Sequence, residues 1–221
     1  MLAKDLTSER IPVVNESDTV SDVIRNMTEF KVSHLPVVIR ESYMGLIAEK
    51  DILAEKDIDQ PVKKYFDHLL LLSVLPAQHI YEVIDLISRN SLTLRPVVTP
   101  ASQYAGSITL PILIKNINIL TAAGEPGAIF VLKLASQDYS STILSRIVEE
   151  SNAKILSLYV RSNPEGRDQT VTLKINSQET NSLMRTFDRY GYSVESCFLA
   201  DGQMDDFYRS RYEEFMKYMN I

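Results

Sequence analysis

Two stretches in the first half of the chain carry apolar residues at helical spacing, 60 residues apart in the sequence. The apolar residues of the two stretches occupy the same positions on a helix face, and chance similarity would not preserve this phase. Each is followed by a short run typical of a buried strand, HLPVV at 34–38 and LRPVV at 94–98. The matched apolar positions are Val20, Val23, Ile24 and Met27 in the first stretch and Ile80, Val83, Ile84 and Ile87 in the second.

The similarity continues downstream, where Tyr-x-Gly-x-Ile begins at Tyr43 and again at Tyr104. The offset there is 61, and one inserted residue in the intervening turn explains the change. The pattern predicts strand, helix, strand, turn, strand and helix, with the last helix at Asp51–Lys56 in one copy and Leu110–Ile117 in the other. The first half is therefore a β-α-β-β-α unit present twice, at residues 1–60 and 61–122.

A run of Ala-Gly-Glu-Pro-Gly at 123–127 interrupts all periodicity and predicts a linker. The pattern after it indicates a βαββαβ domain over residues 128–202. Period-two burial is expected at Leu156, Leu158 and Val160, and Ile143 is expected on the buried face of the first helix. The predicted elements are strand Ala128–Leu134, helix Ser140–Ser151, strand Lys154–Arg161, strand Thr170–Asn176, helix Gln178–Tyr190 and strand Tyr192–Leu199.

The last segment, residues 203–221, predicts an amphipathic helix. Packing within the chain is one explanation for its apolar stripe, and a contact with a dimer mate or partner is the other. Its polar face is not basic enough to favour a membrane surface. The stripe contains Met204, Phe207, Tyr208, Tyr212, Phe215, Met216 and Met219.

Composition and charge restrict the class of protein. The 45% hydrophobic and 24% charged residues of the 221-residue chain are typical of globular domains. The net charge of -6, with both signs interspersed, argues against a nucleic-acid partner. The single cysteine, Cys197, excludes an internal disulfide, is expected in a core, and suits a reducing compartment. A charged N-terminus and short apolar runs predict neither export nor membrane insertion, so we expect a cytoplasmic protein.

The two copies resemble the CBS domain, whose motif is a helix, then (Leu/Ile)-Pro-Val-Val, then Gly-hydrophobic-(Ile/Val)-(Ser/Thr)-x-x-Asp. The first copy has LPVV and then GLIAEKD at 45–51, and the second has RPVV and then GSITLPI at 106–112. The resemblance covers residues 1 to about 122, and it implies a pseudo-twofold pair of modules.

CBS pairs often bind adenine nucleotides between their modules, so the resemblance implies a ligand of the AMP, ADP or ATP class. In the family the motif's hydroxyl contacts a phosphate and its carboxylate accepts hydrogen bonds from the ribose hydroxyls. The first copy has Ala48 at the hydroxyl position but keeps Asp51, whereas the second keeps Thr109 but has Ile112 at the carboxylate position. Each site lacks one half of the motif, which predicts weak or altered binding.

Three further residues are candidates for ligand contact. Lys50 and Arg95 would pair with phosphates, and His34 would line a purine pocket. The alternatives stay open: Lys50 and Arg95 as solvated surface charges, His34 as a structural histidine, and Asp51 as the N-cap of a helix that starts at Ile52.

The second half is similar to an ACT domain, particularly in DYSSTILSRIVEESNAKILSLYV at 138–160. The turn at Ser136–Ser141 has no glycine, which ligand-binding ACT domains usually carry there, so the sequence does not favour an amino-acid site and leaves the question open. The order CBS, CBS, ACT resembles the AcuB-type acetoin utilization proteins. The fold class is thus α+β, with tandem CBS modules, a ferredoxin-like ACT-like domain and a C-terminal helix.

The function expected from this architecture is regulatory and non-catalytic. A nucleotide in the CBS pair would signal to a protein partner or to the mate of a homodimer, and no cofactor or metal is expected. The alternative is a structural dimerisation module whose clefts have lost their ligand. Catalysis is not expected, because His34, His68 and His79 lie in dissimilar contexts and no nucleophile motif, phosphate loop or metal spacing occurs.

Overall fold

The computed structural model describes residues 1–53, 55, 57–163 and 168–199. The predicted C-terminal helix at 203–221 lies outside these residues. The chain divides into two compact units, residues 1–115 and 116–221, and each is considered by itself. No helix of the described residues is long and apolar enough to cross a membrane.

The first unit contains the same series of elements twice, as the repeat predicts. In each copy a helix precedes an antiparallel two-stranded sheet, and a second helix follows it. The elements are α1 (Val20–Phe30), β1 (His34–Ile39), β2 (Ser42–Ala48) and α2 (Glu49–Ile52), then α3 (Ile80–Asn90), β3 (Leu94–Val98), β4 (Tyr104–Thr109) and α4 (Leu110–Leu120), which ends beyond residue 115.

The predicted first strand of each copy is reduced to one parallel bridge. Val14 pairs with Val37, and Val74 pairs with Val97. The Val14 amide donates to the Pro36 carbonyl at 2.8 Å, but Pro12, two residues earlier, has no amide hydrogen to continue the pairing. The extended segment therefore positions the neighbouring β1 without forming a full strand.

The start of each long helix is fixed by reciprocal hydrogen bonds from side chains. The Thr19 hydroxyl accepts from the Asp22 amide at 3.1 Å, and the Asp22 carboxylate accepts from the Thr19 amide at 3.2 Å. At α3 the Glu82 carboxylate likewise accepts from the His79 amide at 3.0 Å. These contacts satisfy amides that have no partner within the helix, so His79 has a local structural role.

The two copies share a core. Leu92 and Leu94 belong to the second copy by sequence, but they pack in the hydrophobic cluster of the first, together with Leu35 and Ile47. The β-turns also meet: the Tyr43 amide donates to the Ser102 carbonyl at 2.8 Å. The copies are therefore halves of one folded unit.

Gly45 permits the close approach of the segment that joins the two copies. Its φ of +147° is a backbone conformation that residues with side chains rarely adopt, and a Cβ there would lie 2.7 Å from the Leu69 Cβ. Next to it, the Leu46 and Leu70 amides donate to each other's carbonyls at 2.9 Å. In the first copy, the glycine of Tyr-x-Gly-x-Ile is therefore required sterically.

The second unit has the ferredoxin-like topology that the sequence predicts. Its four strands lie in the order β6-β7-β5-β8, and all neighbours are antiparallel. Both helices pack on one face, where Phe130 and Phe187 lie in the core and Cys197 is buried as expected. The elements are β5 (Ala128–Ala135), α5 (Ser141–Glu150), β6 (Ile155–Ser162), β7 (Asp168–Ile175), α6 (Thr180–Arg189) and β8 (Ser193–Leu199).

Burial along β6 differs from the prediction. Leu156 and Val160 are 37% and 38% exposed, and only Leu158 packs partly against the core. The register of β6 shifts between Ile155 and Ser157, so Leu156 has no partner opposite it, and β6 lies at the edge of the sheet. Ile143 on α5 is also exposed, in contrast to the prediction.

The helix predicted at Asp51–Lys56 begins earlier than expected. The structure has α2 at Glu49–Ile52, directly after β2, with Ala48 as its N-cap. Asp51 lies inside this helix, so the interpretation of Asp51 as the N-cap is wrong.

Candidate functional site

A cavity of about 410 Å³ in the first unit contains the predicted residue Thr109. Thr109 is the last residue of β4 and is buried, and its hydroxyl makes no hydrogen bond to the described residues. The volume lies in the usual range for small-molecule sites. The lining consists of Ser8, Arg10, Ile11, Phe30, Lys31, Val32, Thr93, Thr109, Leu110 and Pro111.

Two cations and several apolar side chains share this lining. Lys31 follows α1 with a left-handed φ of 52°, and its amide donates to the carbonyls of Met27 and Thr28, which ends the helix beside the cavity. Arg10 is exposed and comes from the N-terminal segment. Neither cation forms an ion pair with the described residues. The arrangement suits a ligand with a flat apolar part and an anionic group.

Thr93 connects this cavity to the predicted residue His34. The Thr93 hydroxyl accepts from the Ser33 amide at 3.0 Å and lies 3.4 Å from Nδ1 of His34. Ser33 and Thr93 are equivalent positions of the repeat, and each accepts through its carbonyl from the first residue of the following helix, Glu49 or Leu110. The meeting point of the modules is therefore built from one residue of each copy.

His34, Lys50 and Asp51 lie near one another, where β1 begins and β2 ends. His34 pairs with Ala48 across the sheet, and α2, which carries both charged residues, starts at the next position. Partial burial lowers the pKa of His34, and the Lys50 charge lowers it further, while Asp51 and Glu49 act in the opposite direction. His34 is therefore favoured in its neutral form.

Lys50 and Asp51 are both accessible to a ligand. Lys50 is exposed and Asp51 is half-buried. Neither side chain hydrogen-bonds or ion-pairs with the part of the chain that the structure describes. An ionised Asp51 could accept hydrogen bonds from a diol, and Lys50 could pair with an anion.

Arg95 lies apart from the other candidates. It is only 3% exposed, does not line the Thr109 cavity, and donates from Nη2 to the Ser73 carbonyl at 3.3 Å. Burial lowers the pKa of Arg95. The interpretation of Arg95 as a solvated surface charge is wrong, because the side chain occupies the position equivalent to the buried Leu35.

The structure thus joins His34 to Thr109 through Thr93, and it adds Arg10, Lys31 and Thr93 as residues that sequence reasoning missed. Thr93 carried a usable signal, because it precedes LRPVV as Ser33 precedes HLPVV. Arg10 and Lys31 carried none, since both resemble ordinary surface charges.

The second unit has a polar cavity of about 480 Å³ over the end of its sheet. Its lining mixes cations with carboxylates, and Lys133 lies 3.7 Å from Asp168. No group of His, Cys, Asp and Glu that could hold a metal ion occurs among the described residues of either unit. The cavity residues are Lys133, Arg161, Ser162, Asn163, Asp168, Gln169, Thr170 and Glu195.

Comparison with known families supports the first resemblance. Residues 3–57 match the family model of the CBS domain, which confirms the prediction for the first module. The second module has the same order of elements. The chain is 26% identical over 115 residues to inosine-5'-monophosphate dehydrogenase of Methanocaldococcus jannaschii, covering 52% of this chain and only 23% of that protein. The chain thus spans about a quarter of this curated relative.

Solved structures align with about half of the chain. A CBS domain pair/ACT domain protein from Thermotoga maritima aligns with a TM-score of 0.47 and 22% identity, over 53% of this chain and 96% of that one. CBSX2 in complex with AMP aligns with a TM-score of 0.42 and 19% identity, over 52% of this chain and 95% of that one.

Proposed function

We propose that this chain is a non-catalytic regulatory protein whose CBS modules bind an adenine nucleotide in the Thr109 cavity. The observation that carries the proposal is the Thr109 hydroxyl, without a partner among the described residues, in a cavity with Arg10 and Lys31 on its wall. The apolar residues Ile11 and Val32 would contact the base. Arg10 and Lys31 would face the phosphate, for which cationic donors are well suited.

The signal would pass through the contact between the modules. Thr93 lines the cavity and also holds the Ser33 amide and His34 of the other module. A ligand that packs on Thr93 would therefore stabilise one arrangement of the two modules over others. His34, which contacts Thr93, would form a second ligand-contact surface together with Lys50 and Asp51.

Thermal unfolding with AMP, ADP, ATP and S-adenosylmethionine tests the proposal, because a ligand that binds only the folded state raises the unfolding temperature. AMP is the first probe. Thr109→Ala should weaken AMP binding about tenfold, which is the effect of losing a hydrogen bond to a charged group. Thr186→Ala is the matched control, since Thr186 lies on α6 and its hydroxyl bonds only within that helix. Equal AMP affinity in both variants would contradict the site.

The two cations need a separate test. Lys31→Asn removes the charge but keeps a residue that tolerates positive φ. It should weaken AMP binding more than adenosine binding, because adenosine has no phosphate. Lys4→Gln, at an exposed lysine outside the cavity, is the control. Similar losses of affinity for AMP and adenosine would show that Lys31 does not contact the phosphate.

The second candidate function is a structural dimerisation module without a ligand. The observation that favours it is the pair Ala48 and Ile112, which stand where the CBS motif has its hydroxyl and its carboxylate. No saturable effect of any of the four ligands at millimolar concentration would support it. We also propose a homodimer of the AcuB type, which light scattering of the full chain would test by its mass.

A further inference from the structure

Arg95 places a charged group where the other module has a core residue. It is the second residue of β3, and Leu35 holds the same position in β1. Leu35 is fully buried, and Arg95 is buried to nearly the same extent. The guanidinium is therefore not a solvated charge, and its hydrogen-bond partners must be accounted for one by one.

Most of the guanidinium has no acceptor among the described residues. Nη2 donates to the Ser73 carbonyl at 3.3 Å, but Nε and Nη1 are buried and have no partner in the described part of the chain. Nε carries one N–H and Nη1 carries two, so three of the five donors are unused. No Asp or Glu among the described residues forms an ion pair with Arg95. A buried charge in this state is strongly unfavourable unless something pairs with it.

The surroundings of Arg95 come from both modules. The Tyr43 hydroxyl, from the first module, donates to the Leu72 carbonyl at 2.9 Å, next to the Ser73 carbonyl that Arg95 uses. Tyr43, Leu72 and Ser73 are each partly exposed. Because these three neighbours are partly exposed, we expect a small anion to reach the guanidinium through local side-chain movement.

We propose that Arg95 binds a small oxyanion at this junction, at a site separate from the Thr109 cavity. The planar guanidinium matches the oxygens of carboxylate and phosphate groups with parallel hydrogen bonds. The anion supplies the missing charge and the missing acceptors, and it adds a contact between β3 and the segment held by Tyr43. Occupancy of this site therefore stabilises the first unit whether or not a nucleotide is bound.

Thermal unfolding of the full chain in inorganic phosphate tests the site, with sodium chloride added to keep the ionic strength constant and sodium acetate as a second probe. The wild type should show a saturable rise in unfolding temperature with at least one of the two oxyanions. Arg95→Leu, which installs the residue found at position 35, should fold and lose this response. Arg95→Gln should weaken the response about tenfold.

Two results would overturn the proposal. One is a wild type with no saturable response to either oxyanion. The other is an Arg95→Leu variant that responds like the wild type.

Titration with AMP and adenosine separates this site from the nucleotide site. Arg95→Leu should leave both affinities unchanged, whereas Thr109→Ala should weaken AMP and leave the phosphate response intact. A tenfold loss of AMP but not adenosine affinity in Arg95→Leu would refute a separate site, because Arg95 would then hold the phosphate of the nucleotide.

Discussion

The Nδ1 atom of His34 lies 3.4 Å from the hydroxyl oxygen of Thr93, and the same oxygen accepts the Ser33 amide at 3.0 Å. One threonine therefore holds two consecutive residues of the other module. The equivalent residue, Ser33, makes this contact through its backbone, so the junction is asymmetric although the repeat is symmetric.

Thr93→Val should destabilise the first unit by about 1–3 kcal/mol. Valine keeps the shape of the side chain but leaves the partly buried Ser33 amide without its acceptor, and an unpaired donor shielded from water carries a penalty of this order. Urea denaturation measures the change in the free energy of unfolding. Thr186→Val on α6 is the control and should have a smaller effect, because the Thr186 hydroxyl only bonds the Ser182 carbonyl within its own helix. Equal losses would show that the Thr93 hydroxyl does not hold the junction.

The stability of the first unit should depend on the protonation of His34. Burial and the Lys50 charge lower the pKa of His34 below the ordinary value of 6.5. Between the folded pKa and 6.5 the unfolded chain binds more protons than the folded chain, so stability rises with pH through this window. The contribution is complete above 6.5 and is lost as the pH falls through the folded pKa.

Measuring the free energy of unfolding from pH 7.5 to 5 checks this dependence. His34→Gln should flatten the curve in this range, because glutamine does not titrate. Thr186→Val, which removes no titratable group, is the control and should leave the slope unchanged. A slope in His34→Gln equal to that of the wild type would assign the pH dependence to other groups.

Gly45→Ala should destabilise the first unit more than Gly191→Ala destabilises the second. Both glycines have positive φ, +147° and +79°, so alanine is strained at each. At Gly45 the added Cβ would also meet the Leu69 Cβ at 2.7 Å, whereas nothing lies within 4 Å at Gly191. The excess at Gly45 should exceed about 1 kcal/mol, as overpacking in a core does. Urea denaturation of both variants measures the loss in the free energy of unfolding, and hydrogen exchange at the Leu46 and Leu70 amides shows whether the loss is local. Equal losses in the two variants would mean that the segment around Leu69 moves aside for the added Cβ.

The repeat and the topology could be read from the sequence because both depend on patterns that many residues share. The helix faces at Val20 and Ile80 and the paired Pro-Val-Val runs each report the same buried geometry. A single residue that breaks a pattern is harder to interpret, as at Leu156, where the register shift in β6 changes which side chains face the core.

The candidate site could be predicted only in part, because its residues come from separate segments. Thr109 and His34 lie in recognisable motifs, but Arg10 and Lys31 reach the cavity through the path of the N-terminal segment and the end of α1. Arg95 has a charge that suggests the surface, and only its packing reveals its burial. Local spacing in the sequence does not determine the distances between segments that are far apart along the chain. The positions of these three residues can therefore be found only from a structure.

The two-residue turn between β1 and β2 should be a place to stabilise the protein. Arg40 and Glu41 have φ values of 49° and 70°, which a type I′ turn requires and for which Asn-Gly is the favoured pair. Replacing Arg40 with Asn and Glu41 with Gly should raise the free energy of unfolding by about 1 kcal/mol, since left-handed conformations are strained for the native residues. The Tyr104 amide bonds the Glu41 carbonyl at 3.2 Å, and this backbone contact survives the exchange. The double alanine variant is the control, because it removes the same charges but keeps the strained backbone, and it should not be more stable than the wild type. Urea denaturation compares the variants. Equal stability of the alanine and Asn-Gly variants would contradict the strain argument.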